Sequence, residues 1–428
     1  MSEIVQKDKQ FVWHPFTHLN YAKEPVNIIS SKGSCYFDEN GNKIIDAISS
    51  WWVNLHGHCN PYISEQVSQQ LFKNEHSIFS DFTHPNAVKL AERLISKLPD
   101  SVRRIFYSDN GSTAVEVALK MTIQYWHNCG TPKSTFICFQ NAYHGDTFGG
   151  MSVAERNVFN QVFTSFLFDV IHVPTPTHEN INELKNQFYE LAKRNNVAGF
   201  IYEPIVQGAS GMLIYEPDLL NELLVICKDE DIITIADEVM TGFGRTGTWF
   251  ASDQMKSKPD IICLSKGLTG GYMPLGVTAS SEKIFNAFKQ NDKTKTFFHG
   301  HSYTANPTAC AAALASLDLM EKNETWEKIK FIEALHLDFK NKIINHPACA
   351  EVRCKGTILA VELKSIEERH YLNNLSENIS SYFLEKGILL RPLGNVFYLI
   401  PPYCITNEEL NYVYEIILEF LNSVLPKV

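Results

Sequence analysis

Ile232-Ile233-Thr234-Ile235-Ala236 runs straight into Asp237-Glu238, and Ile261-Ile262-Cys263-Leu264-Ser265 runs straight into Lys266-Gly267. Each run is short and apolar at both alternating positions, the pattern of a strand buried on both faces. Four further runs share that character: Arg104–Tyr107, Thr135–Phe139, Gly199–Tyr202 and Gly276–Ala279. Helical periodicity fills some of the gaps, as at Ala114–Trp126 and Leu219–Lys228. Alternation of this kind predicts an α/β fold, a mostly parallel central sheet flanked by helices.

The chain has 428 residues, which suits one large domain with a smaller one appended. Residues 61–319 are expected to form the large domain. Residues 1–60 carry short strand and turn signals, such as Lys32–Asp38 followed by Glu39-Asn40-Gly41. Residues 320–428 read as helix, strands and a final helix over Glu408–Leu421. Both termini together predict a smaller α+β domain.

Composition excludes several classes of function. The formal net charge is −10, which argues against nucleic acid or an anionic membrane as main partner. The ten cysteines are scattered with no CxxC pair, as expected of reduced thiols in a cytoplasmic protein. The opening residues, MSEIVQKDKQ, are polar and lack the apolar stretch of a signal peptide. No run approaches the ~18 apolar residues of a membrane span.

Asp237 and Lys266 each stand at the carboxyl end of a buried strand, facing the crevice where open α/β sheets bind ligands. Such a pair suits pyridoxal phosphate (PLP). The lysine amine condenses with the cofactor aldehyde, and the carboxylate keeps the pyridine nitrogen protonated so that the ring accepts electrons. A salt bridge at a sheet end uses the same two residues equally well. Ser108-Asp109-Asn110-Gly111-Ser112-Thr113-Ala114 is a strand end, a small-residue turn and a helix start. Thr113 and Glu116 stand in capping-box spacing, and the free N–H groups of a helix start suit a phosphate. Ala142-Tyr143-His144-Gly145 follows another strand and offers an aromatic to stack on a planar ring, or simply one packed under a loop.

Gly242-Phe243-Gly244-Arg245-Thr246-Gly247 matches the dinucleotide fingerprint G-x-G-x-x-G. Four residues separate Asp237 from its first glycine, and no helical start follows, so the nucleotide reading is set aside. A loop presenting Arg245 to an anionic substrate is the expectation instead. His56-Gly57-His58 and His299-Gly300-His301 lack accompanying ligands at metal spacing, so no metal is expected.

Together these segments resemble the class III, ornithine-aminotransferase-like group of fold-type I PLP enzymes. The centre of the resemblance is IADEVMTGFGRTGTWFASDQ with PDIICLSKGLTGG, within residues 235–271. It implies that Lys266 carries the cofactor, that Asp237 meets the pyridine nitrogen, that Gly111 and Ser112 form the phosphate turn, and that Tyr143 stacks on the ring. Glu203, in EPIVQGASGM, matches a position near the cofactor. Ser302, in FFHGHSYTAN, matches a phosphate ligand supplied by the neighbouring subunit, which implies a homodimer with shared sites.

VWHPFTHL at 12–19, SSWWVNLHGH at 49–58, LTGGYMPLGVT at 268–278 and LLRPLGNVFYLIPPY at 389–403 resemble one branch of that group. Its members aminate 8-amino-7-oxononanoate in biotin synthesis, with S-adenosylmethionine or lysine as donor. The resemblance implies a substrate pocket of Phe16, Trp51, Tyr143, Lys266, Gly300, Arg391 and Tyr398. Arg391 would pair with the substrate carboxylate. Phe16 stands where many members carry Tyr, and His301-Ser302 where many carry Pro-Thr, which leaves the donor open. An ω-amino-acid or ornithine-type transaminase, and a non-catalytic PLP-fold binding protein, are the alternatives.

Overall fold

The computed structural model describes residues 2–20, 23–364 and 374–423. Residues 365–373 and 424–428 of the expected C-terminal segment lie outside the described residues. At the centre is a seven-stranded sheet in the order Val102–Ser108, Gly276–Ser281, Ile261–Leu264, Ile233–Asp237, Val197–Tyr202, Thr135–Phe139, Val170–Val173. The five strands from Ile261–Leu264 onward pair in parallel, and only Gly276–Ser281 runs against its neighbours. This is the fold-type I α/β arrangement. Val170–Val173 was not expected. It is an edge strand, half-buried over most of its length and interrupted by His172, so its apolar signal is weak.

Alternation along the central strands sorts side chains between two buried layers. Ile233, Ile235, Ile261 and Cys263 pack with Ala114, Val115, Val117 and Ala118 of the helix Gly111–Asn128. Ala236, Ile262 and Leu264 face the other way, with Leu220, Leu223 and Leu224 of the helix Pro217–Asp229 in the same core. With a two-residue period, neighbouring residues serve opposite faces, so both positions must be apolar. Each such aliphatic side chain, fully buried, contributes about 1.5–3 kcal/mol.

The ends of the chain meet in a second sheet. Ile28–Lys32, Cys35–Asp38 and Lys43–Asp46 pair antiparallel, and Ile388–Leu389 adds in parallel to Lys43–Asp46. The strand signal at Lys32–Asp38 thus covers the end of one strand and the whole of the next. Gly33, at φ +59°, supplies the left-handed backbone of the reversal between them. The turn at Glu39-Asn40-Gly41 forms as expected, with Asp38 Oδ1 accepting the N–H groups of Asn40 and Asn42. Cys349–Lys355, Ile358–Leu363 and Val396–Leu399 form a three-stranded antiparallel sheet, and the final helix spans Asn407–Ser423.

Candidate active site

Five strands release their chains toward one cavity of about 500 Å³. Val102–Ser108 leads to Asp109, Asn110, Gly111 and Ser112. Thr135–Phe139 leads to Tyr143, His144 and Gly145, and Val197–Tyr202 to Glu203. Ile233–Asp237 ends on Asp237, and Ile261–Leu264 leads to Lys266. All of these residues line the cavity. The N-terminal segment adds Phe16, Trp51 and Trp52, and the C-terminal part adds Arg391, Leu393 and Tyr398.

Asp237 and Lys266 come together because their strands are neighbours, with Asp237 in register with Cys263, three residues before Lys266. The Asp237 carboxylate is held on both oxygens: His144 Nδ1 lies 2.7 Å from Oδ2, and Val239 N–H donates to Oδ1 at 3.1 Å. A carboxylate accepts, so the His144 proton sits on Nδ1. The other ring nitrogen, Nε2, is buried without a partner among the described residues.

Lys266 occupies the left-handed region at φ +45°, a strained backbone for a non-glycine residue. Its Nζ lies 4.5 Å from the Trp52 ring centroid, and Trp52 Nε1–H donates to Tyr398 Oη at 2.9 Å. Burial lowers the proton affinity of Lys266 to a pKa of about 8. Asp237 and Glu203 oppose that shift, and the Arg245 charge adds to it. Glu203 accepts the N–H groups of Tyr143 and Gly208, at 3.1 and 2.9 Å. Burial first, and Asp237 after it, push Glu203 up to about 7, while His144 pulls it down. Burial and the neighbouring Asp146 hold the Tyr143 phenol protonated well above its usual range.

The helix Gly111–Asn128 begins two residues earlier than the expected Thr113 start. Its cap is Asn110: Thr113 N–H donates to Asn110 Oδ1 at 2.9 Å, and the Thr113 hydroxyl accepts Asn110 N–H at 3.1 Å. Glu116 takes no part in this box and instead accepts the N–H groups of Gly149 and Gly150. The Gly111 and Ser112 N–H groups stand at the open end of this helix and line the cavity.

Trp51 and Arg391 stack, with the guanidinium carbon 4.4 Å from the Trp51 ring centroid. Phe16 packs edge-on against Trp51 at 5.4 Å and against Phe159 at 6.0 Å. Ser49, Ser50 and Trp52 all have positive φ, and these sharp turns put Trp51 at the half-exposed mouth and Trp52 beneath Lys266.

Arg245 corrects the expectation made for it. It is 1% exposed, does not line the cavity, and donates to the carbonyls of Pro401 and Asn54 at 2.8 and 3.0 Å. Its loop is a buried brace between the two ends of the chain, with the guanidinium 5.0 Å from the Tyr403 ring centroid. Gly300 and Ser302 also lie outside the cavity of their own chain, on a loop beside the exposed Phe298 and Tyr303. His144 and Trp52 are the site residues that sequence reasoning passed over. Their signal was adjacency to Tyr143 and Trp51.

Two features bear on whether these residues suit PLP. An acid backed by a histidine and an amine of lowered proton affinity line one cavity. Gly111 and Gly145 keep the phosphate end close-packed: a Cβ on Gly145 would fall 2.1 Å from Ser112 Oγ, and one on Gly111 would fall 2.7 Å from Val239 Cγ1. The residues fit the cofactor.

The sequence pattern of class-III aminotransferases matches residues 18–421. An adenosylmethionine-8-amino-7-oxononanoate aminotransferase from Synechococcus elongatus is 44% identical over 421 residues, covering 96% of this chain and 99% of that protein. One from Staphylococcus aureus is 37% identical over 445 residues, covering 99% and 98%. The crystal structure of the enzyme of that name from Methanocaldococcus jannaschii superposes with a TM-score of 0.93 at 35% identity, covering 98% of each chain. An amine transaminase from an uncultivated Pseudomonas species, solved in its PLP-bound form, gives 0.89 at 30% identity, covering 96% and 98%. The chain belongs to the class-III aminotransferase family and is a PLP-dependent transaminase.

Proposed function

We propose that this chain aminates the 7-keto group of 8-amino-7-oxononanoate to give 7,8-diaminononanoate in biotin synthesis, with S-adenosylmethionine or lysine as donor. The relatives bearing that enzyme's name, matched over nearly their whole length, support the reading. The observation that carries it is a single cavity holding Lys266, the Asp237–His144 pair and the Trp51–Arg391 stack.

The bound cofactor supplies an electron-accepting ring that stores the amine between two half-reactions. Lys266 would hold it covalently until the donor amine displaces it, Asp237 would meet its pyridine nitrogen, Tyr143 would offer a ring face, and Gly111 and Ser112 would take its phosphate. The freed Lys266 amine would then take the proton from the amine-bearing carbon of the donor in one half-reaction and give one to C7 of the keto acid in the other. An amine whose proton affinity falls near neutrality suits both directions of transfer. Arg391 takes the distal carboxylate of the keto acid, its guanidinium stacked on Trp51. Ser302 serves the cofactor phosphate of a partner subunit. Phe298 and Tyr303, apolar and exposed beside it, favour burial in a homodimer. No described helix is long and apolar enough to cross a membrane; a cytoplasmic location is proposed.

The test is to incubate the PLP-loaded protein with 8-amino-7-oxononanoate and each donor, and to follow 7,8-diaminononanoate by mass spectrometry. Product in wild type and none in Lys266→Ala is expected. Turnover of 4-aminobutyrate or ornithine without that product would replace this reading with the ω-amino-acid one.

A further inference from the structure

A second cavity of about 250 Å³ adjoins the first. Tyr143, Phe159, Ala209 and Leu393 line both. Beyond that shared wall the lining mixes apolar and polar side chains and carries no Lys, Arg or His among the described residues: Asn141, Glu155, Asn157, Ser210 and Asn395 supply its hydrogen-bonding side chains.

Two of these groups are built to accept. Asn395 is 5% exposed, and its Nδ2 donates to the Leu363 carbonyl at 2.8 Å. That bond fixes the amide and leaves Oδ1 buried without a partner among the described residues. Native structures rarely leave a buried acceptor unpaired unless a ligand or water completes it. The Glu155 carboxylate accepts the Asn141 N–H through Oε2. Ser210 donates to the Asn141 carbonyl, which ties the opposite side of the cavity to the same turn. Tyr143 follows that turn directly, so the walls of the second cavity and the cofactor site share one short segment.

We propose that this cavity is the subsite for the distal end of the amino donor, and that it selects a group rich in hydrogen-bond donors, a second ammonium or a vicinal diol. The charge pattern excludes the other substrate's tail. A carboxylate here meets the Glu155 charge with no cation among the described lining residues to offset it, whereas Arg391 in the neighbouring cavity offers it a guanidinium. The two cavities thus divide the two substrates by charge. The donor reacts at Lys266 with its far end past Tyr143, and the keto acid reacts at Lys266 with its far end at Arg391. The inference rests on the transaminase reading above.

The test uses the PLP-loaded enzyme in separate half-reactions. Glu155→Gln keeps an acceptor for Asn141 N–H but removes the charge; Ser210→Phe fills the cavity. The dissociation constant of the donor that wild type uses, taken from the saturation of cofactor bleaching, is expected to rise about tenfold or more in both variants. That of 8-amino-7-oxononanoate, measured against the pyridoxamine form, is expected to stay within about twofold. A rise seen with S-adenosylmethionine assigns the diol, and one seen with lysine assigns the ammonium. Unchanged donor binding in both variants, or an equal rise for the keto acid, overturns the subsite. A wild-type enzyme that uses a donor but leaves 8-amino-7-oxononanoate unaminated overturns the functional reading instead, and the donor measurement still stands.

Discussion

His144 Nδ1 lies 2.7 Å from Asp237 Oδ2, and both side chains are buried at the floor of the cofactor cavity. The acid reaches this place from one strand end and the histidine from another, so the pair exists only in the folded sheet. A carboxylate fixed by a ring N–H on one side and by Val239 N–H on the other is oriented before any ligand arrives. His144→Ala is expected to lower kcat by about 10–100-fold, the worth of a hydrogen bond to a charged group. It should also shift the absorbance of the bound cofactor and leave KM for the keto acid nearly constant. A purely structural histidine would change the melting temperature without moving the spectrum.

The cofactor-free protein should show two opposed pH effects. Lys266 has a folded-state pKa of about 8 against 10.5 when unfolded. The folded chain binds fewer protons in that window, so stability rises with pH from about 8 to 10.5, and the burial penalty is fully felt below it. Glu203 moves the other way, from 4.5 to about 7. The folded chain there binds more protons, so stability declines as pH rises from 4.5 to 7. Denaturant titrations across pH should lose the alkaline slope in Lys266→Met and the acid slope in Glu203→Gln. Lys266→Met should also be more stable than wild type at neutral pH; equal stability would mean that the amine is not desolvated.

Arg245 separates a structural from a substrate-binding arginine. Its guanidinium satisfies two backbone carbonyls from opposite ends of the chain. Arg245→Met leaves both unpaired in the interior, at about 1–3 kcal/mol each. The expected result is a large fall in melting temperature with unchanged KM for both substrates in the surviving folded enzyme. A selective rise in KM would return Arg245 to the role its sequence position suggested.

The central strands were legible because strands buried on both faces must be apolar throughout, and Asp237 and Lys266 stood out as charges ending such runs. Other features depend on tertiary contacts that a linear reading lacks. Nothing local distinguishes Trp51 from Trp52, yet the left-handed turns at Ser49 and Ser50 send one to the mouth and the other beneath Lys266. Arg245 misled because a glycine-flanked arginine after a catalytic strand resembles a ligand clamp. Its partners, Pro401 and Asn54, lie more than a hundred residues away on either side. His144 showed only its adjacency to Tyr143, because its function is its distance to Asp237.

Gly145 joins these contacts into one mechanical unit. It sits at φ +105°, and an added Cβ would fall 2.1 Å from Ser112 Oγ and 3.0 Å from Ser112 Cα. The hydroxyl can rotate away, but the Cα belongs to the helix start. Gly145→Ala therefore must push the Tyr143-His144 turn away from the phosphate turn, besides the ~1–3 kcal/mol of an L residue in that backbone region. Tyr143, which offers the ring face, and His144, which orients Asp237, move together. The cofactor dissociation constant is expected to rise about tenfold or more while the far-ultraviolet circular dichroism stays native. Wild-type cofactor affinity in Gly145→Ala would mean that the two turns can separate without disturbing the site, and that the close approach serves packing alone.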